Sequence, residues 1–189
     1  MAPAPFSCEC GALHGQIEDH GLRAGTHLEC FCPDCRAAQL YFDQPDPAPG
    51  AVELFQTTPD AITIHAGSEH LAMLRLGPKG LYRWYAGCCN TPLFNTLKSR
   101  RFAFAGILAD RLEDNSVLGP IRVQGYVPTA GKPPRHKGAG RMAYGIFSRM
   151  IGAWVSGRWR QTPFFDPDTG KPVAEPVVIS REDRARLYR

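Results

Sequence analysis

The seven cysteines of this chain fall into three tight clusters: Cys8-Glu9-Cys10, Cys30-Phe31-Cys32-Pro33-Asp34-Cys35 and Cys88-Cys89. Thiols one and three residues apart do not readily bridge one another as disulfides, whose geometry is specific. They converge easily on a tetrahedral ion, with zinc–sulfur bonds of about 2.3 Å. A metal accounts for all three clusters together, and zinc is the expected ion, two per chain. Cys30, Cys32 and Cys35 combine C-x-C with C-x-x-C, so one tight turn can wrap three thiolates around an ion and leave its fourth position to a reactant. That pattern points to chemistry. Cys8 and Cys10 make half of a second site, and Gly11 after them is free to take the positive φ of a turn around a metal. Cys88 and Cys89 are the remaining thiols. With Cys8 and Cys10 they would make a closed four-thiolate site, adding folding free energy on the order of 10 kcal/mol. Side chains of neighbouring residues point apart in an extended backbone. The alternative is therefore that one of the pair closes this site while the other joins the second site or packs inside. The histidines His14, His20, His27, His65, His70 and His136 show no paired spacing that improves on the thiols, and read as ordinary polar or packed residues.

The elements that must carry these thiols are short and β-like. Runs recur over Ala51 to Gln56, Ala61 to His65, His70 to Leu76, Leu81 to Tyr85, Phe102 to Leu108 and Ile121 to Val127, which predicts a mainly β, antiparallel core. Gly77-Pro78-Lys79-Gly80 reads as a hairpin turn. It would deliver Cys88 and Cys89 at the end of the Leu81 to Tyr85 strand, in a loop continued by Asn90, Thr91 and Pro92. After Val127 the character changes. Gly131 to Gly138 reads as a basic, solvated linker, and Met142 to Val155 as an apolar run of helical length that packs over one open face of the sheet. Ser180 is placed to cap a final helix, with Asp183 at its third position. The expected organisation is a zinc-binding β domain over 1–130 and a basic linker with a helical extension over 131–189.

At 189 residues, with 43% hydrophobic and 21% charged residues, the chain is long enough to bury a sizeable core. No secretory signal or membrane-spanning stretch is evident, so a cytoplasmic protein is expected, in which an odd count of cysteines means ligands or reactive thiols. Between Asn115 and Phe165 there is no acidic residue, while Arg122, Lys132, Arg135, Lys137, Arg141, Arg149, Arg158 and Arg160 are basic. The favoured reading is a solvated face or a small anionic ligand. Nucleic acid is not the expected partner, because regular aromatic interleaving is not evident.

The order of the motifs, ending in Trp84-Tyr85-Ala86-Gly87-Cys88-Cys89-Asn90-Thr91-Pro92-Leu93, resembles the glutathione-dependent formaldehyde-activating enzyme family, also met in centromere protein V, over roughly residues 6 to 127. The resemblance implies a β-tent of antiparallel sheets. It also implies a structural zinc on the outer cysteines and a second zinc, associated with glutathione, on the middle three. The third motif departs from the family's F-C-x-x-C-G: Ala86 stands where the earlier cysteine belongs, Cys89 matches the later one, and Asn90 replaces the glycine. By resemblance the activity is that of a carbon–sulfur lyase joining a small thiol such as glutathione to formaldehyde or a related aldehyde. The competing reading is a non-catalytic, zinc-stapled binding module for an anionic or protein partner. Self-association is open in either case.

Overall fold

A computed structural model describes residues 2–188. The strands, in chain order, are β1 (Ala4–Ser7), β2 (His14–Ile17), β3 (Thr26–Cys30), β4 (Val52–Thr57), β5 (Ile62–Ala66) and β6 (Leu71–Arg75). They continue with β7 (Tyr82–Ala86), β8 (Thr91–Thr96), β9 (Ala105–Leu108), β10 (Val123–Thr129), β11 (Lys132–Lys137) and β12 (Pro176–Val178). The helices are α1 (Asp19–Ala24), α2 (Pro33–Tyr41), α3 (Ala139–Val155) and α4 (Arg181–Leu187).

The fold is mainly β, in two sheets. One runs β1-β2-β5; the other has nine strands in the order β11-β10-β3-β4-β9-β8-β7-β6-β12. Pairing is antiparallel except at β10 on β3 and at β12 on β6, which are parallel. The hairpin expected around Gly77–Gly80 forms between β6 and β7, with Leu71 opposite Ala86. The loop expected through Thr91 and Pro92 is instead the start of β8. Pro92 pairs with Tyr85 next to a register shift, the kind of irregularity that lets a strand accept a residue lacking an N–H.

The main core contains an aromatic cluster among its aliphatic side chains. Phe6 meets Phe94 edge-on at 5.0 Å between ring centroids, and Phe94 meets Phe164 at 5.2 Å. Trp84 is fully buried among them, and its indole N–H donates to Thr96 Oγ1 at 2.9 Å, satisfying the polar tip that a buried tryptophan carries inside. Thus Phe164 and Phe165, far along the chain, complete a core otherwise built by the sheets.

Beyond Val127 two expectations change. The segment expected to be a linker is β11, hydrogen-bonded to β10 but with all six residues exposed. Its backbone finds partners while its charges stay in water. Helix α3 buries only Arg149 and Ala153. Tyr144, Phe147, Ile151, Trp154 and Val155 remain exposed, so the apolar run does not cover the sheet as expected. The physical reason lies on the opposite face, where Gly145 allows close approach: a Cβ there would sit 3.0 Å from Arg149 Nη1 and 3.1 Å from Thr26 Oγ1. Ser180 caps α4 by accepting the Asp183 N–H, as its spacing predicts. Among the described residues, no helix is long and apolar enough to cross a membrane.

Candidate metal centre

Cys8 and Cys10 lie in the loop joining β1 to β2. Gly11 takes φ +76° and donates its N–H to Cys8 O at 2.9 Å, while the Leu13 N–H points at Cys8 Sγ at 3.3 Å. The loop therefore folds around the Cys8 sulfur. Cys88 and Cys89 lie in the turn between β7 and β8, closed by the Ala86–Thr91 pair. Asn90 there has φ +57°, a left-handed conformation that asparagine tolerates better than most residues with a side chain. This explains how asparagine can stand where the resemblance calls for glycine. Thr91, fully buried, ties the two loops: its Oγ1 accepts the Glu9 N–H at 3.1 Å and lies 3.0 Å from Cys89 Sγ.

The result is a group of four sulfurs. Cys8 and Cys10 are 3.5 Å apart, Cys10 and Cys88 3.4 Å, Cys8 and Cys88 3.9 Å, and Cys88 and Cys89 3.8 Å. Thiolates bound at about 2.3 Å around a tetrahedral ion are about 3.8 Å from one another, so this donor set fits one ion. Both vicinal cysteines belong here, and neither joins the other group. Cys88 is pushed up to about 12 by desolvation and by hydrogen bonds with Cys10, Cys89 and Cys8. For Cys89, desolvation is outweighed by hydrogen bonds from Thr91 and from Cys10, and its thiol is brought down to about 6.

The second group is local. Cys30 ends β3, opposite Val52 on β4 and Gly125 on β10. Cys32 caps α2, its sulfur accepting the Cys35 N–H at 3.3 Å, with Pro33 following in the first turn, where a missing N–H costs nothing. The three sulfurs lie within 4.8 Å of one another, and no fourth His, Cys, Asp or Glu joins them among the described residues. As thiols all three sit at about 11. Cys30 is raised first by its hydrogen bond with Cys32, and Cys35 by its bond with Cys30, with burial adding to both. For Cys32 the bond with Cys30 pulls down, but the bond with Cys35 and burial prevail.

Buried Arg83 acts on this group from the sheet. Its charge pulls Cys35 down against burial, and its Nη1 donates to Asn95 Oδ1 at 3.2 Å. Three thiolates and a divalent ion would together carry a net charge of −1, which this guanidinium would partly offset. Arg83 and Thr91 were not singled out from the sequence. A signal for Arg83 was present, since it is an arginine inside the apolar run Leu81 to Tyr85. Arg83 and Cys35 share a cavity with only about 10 Å³ of free space, room for about one water. Gln39, Val52 and Leu108 also line a larger cavity of about 230 Å³ whose charged residues are Glu53 and Asp110. Of the basic residues between Asn115 and Phe165, Arg122, Arg141 and Arg149 line a different cavity. None of the histidines joins either cysteine group.

A family described as a family of unknown function, DUF6151, matches residues 2–177. The chain belongs to this family. The DUF6151 match takes in all seven cysteines and the whole of α3, so both thiol groups and the exposed helix lie within it. No curated protein matches the chain. Among solved structures the chain is similar to a Rhodobacter sphaeroides protein known from its crystal structure, at 18% identity and a TM-score of 0.42, over 62% of this chain and 96% of that one. A likeness that distant carries no argument.

Proposed function

We propose that this DUF6151 chain is a zinc protein that adds glutathione, or a similar small thiol, to formaldehyde or a related aldehyde. The observation that supports it is the unequal division of seven thiols into a group of four and a group of three without a fourth protein donor. Cys8, Cys10, Cys88 and Cys89 would hold a closed, structural ion, and Cys30, Cys32 and Cys35 the second. Zinc on the three thiolates supplies one thing: it keeps an incoming thiol in its nucleophilic thiolate form at neutral pH.

The chain's own residues do the rest. Cys32 holds the turn through its cap on α2, and Arg83 offsets the negative charge of the group. Partial exposure of Cys30 and Cys32, against buried Cys35, gives a reactant one side from which to approach. The addition itself needs no oxidant or reductant. Sulfur bonds to the aldehyde carbon, the carbonyl π electrons move to oxygen, and that oxygen takes the proton lost by the thiol. The likeness of the first two motifs to the formaldehyde-activating family supports the same reading. The changed third motif does not weaken it at the site, because Cys88 and Asn90 occupy the altered loop in a workable geometry.

The test is calorimetry with glutathione and an exchange measurement of S-(hydroxymethyl)glutathione formation, on native protein and on Cys35→Ser. Native protein binds and accelerates; Cys35→Ser does neither. Absence of both effects in zinc-loaded native protein would reject the reading. A second reading, the non-catalytic zinc-stapled module, is favoured by one observation, the exposed apolar residues along α3. It predicts two bound ions with no thiol binding.

A further inference from the structure

Arg149 is buried in α3, 8% exposed, with no carboxylate beside it among the described residues. Its Nη1 donates to Ala24 O at 2.8 Å and to Thr26 Oγ1 at 3.0 Å, but Nη2 is buried with no hydrogen-bond partner. Burial alone lowers its pKa to about 10; no acid pulls the other way. A guanidinium taken out of water without an anion is costly, and buried donors are nearly always satisfied. The helix is nevertheless shaped to admit it, because Gly145 leaves the space that Arg149 Nη1 and Thr26 Oγ1 fill.

Two adjoining cavities share Arg149, Ser148 and Ala24. In the first, Arg158 and His20 are both committed to Asp60, at 3.4 Å and 3.1 Å. The second, of about 260 Å³, contains no acidic residue in its walls and adds Arg122 and Arg141, both exposed. Neither pairs with a carboxylate among the described residues. Tyr144 lines the same cavity. The guanidinium groups of Arg122, Arg141 and Arg149 are therefore free of carboxylates among the described residues, whereas His27 in the same wall is held by Glu53 Oε1 at 2.6 Å.

We propose that the cavity between α3 and the segments at Ala24–His27 and Pro120–Arg122 binds the phosphate group of a small phosphorylated molecule through Arg149, Arg141 and Arg122. Guanidinium forks match phosphate oxygens in pairs. Three of them suit a group carrying about −1.5 to −2 charges better than a single carboxylate. The volume lies just under the range of about 300–1,000 Å³ typical of drug-sized ligands, which favours a small metabolite. The site is independent of the cysteine groups and of any reaction there.

The test is calorimetric titration of the full chain with inorganic phosphate, with chloride and acetate at matched ionic strength. Phosphate binds and raises the melting temperature, chloride does neither, and acetate binds at least tenfold more weakly. Arg149→Met abolishes the phosphate response. Arg122→Gln combined with Arg141→Gln, both at exposed positions, keeps the circular dichroism spectrum and weakens phosphate at least tenfold; this pair decides the matter if Arg149→Met does not fold. Equal melting in phosphate and chloride, or unchanged phosphate affinity in the double variant, would overturn the site. Acetate binding as tight as phosphate would overturn the ligand class.

Discussion

The Sγ atoms of Cys10 and Cys88 lie 3.4 Å apart although the two residues are 78 positions apart in the chain. Closing so long a loop costs entropy in the folding chain, and a metal clip recovers it. The Cys30 group, contained within six residues, closes almost nothing.

Cys10→Ser should therefore lower thermal stability and soluble yield far more than Cys32→Ser. Metal analysis of protein purified without chelator should give two ions per native chain and one in each variant that folds. A single ion in the native chain, with the other thiols freely titratable, would contradict the division into four and three. Equal loss of fold in the two variants would mean that both groups are structural.

Asn90 sets the turn that presents Cys88 and Cys89, at φ +57°. Asn90→Gly should be nearly neutral. Asn90→Val should cost about 1–2 kcal/mol, the penalty for forcing a branched residue into the left-handed region. Denaturant titration of the two variants checks this; equal midpoints would show that the turn does not hold that conformation.

Removing the Arg83 charge should act on one metal group only. Arg83→Met is expected to weaken metal at Cys30, Cys32 and Cys35 by about 10- to 100-fold, the usual effect of losing an outer partner of a metal site. It also leaves Asn95 Oδ1 without its donor, at about 1–3 kcal/mol of stability. Competition with a chromogenic chelator should show a fast-released ion and an unchanged slow one.

The C-terminal segment braces the same turn from outside. Ile179, Leu187 and Tyr188 pack on the Ala37, Ala38, Phe42, Leu74 and Leu76 cluster. The Tyr188 hydroxyl donates to Asp34 Oδ1, and Arg184 Nη2 is 3.7 Å from the same oxygen. Asp34 sits between Cys32 and Cys35. Removal of residues 176–189 should speed metal release from the Cys30 group while the four-thiol group holds its ion. Release kinetics identical to the full chain would show that the tail does not brace the turn.

The legible features were those decided by neighbours in sequence. Cys30, Cys32 and Cys35 meet because one tight turn and the start of α2 suffice to gather them. The Gly77–Gly80 hairpin and the Ser180 cap follow from turn and capping chemistry in the same way. Strand β8 was not legible: all six of its residues are buried, so the two-residue alternation that marks a half-wet strand is missing. Its start was further disguised by Pro92. The directions of Cys88 and Cys89 depend on a left-handed residue at Asn90 and on Thr91 reaching across to Glu9, neither of which a local pattern announces. Tertiary structure alone decided that both thiols face Cys8 and Cys10, that Arg83 stands behind Cys35, and that α3 turns Arg149 inward. Composition placed the apolar run of α3 in a helix, since helical length and hydrophobicity are properties of the segment itself. Which face of that helix is buried depends on how closely Gly145 lets it approach Thr26, a contact between residues more than a hundred positions apart.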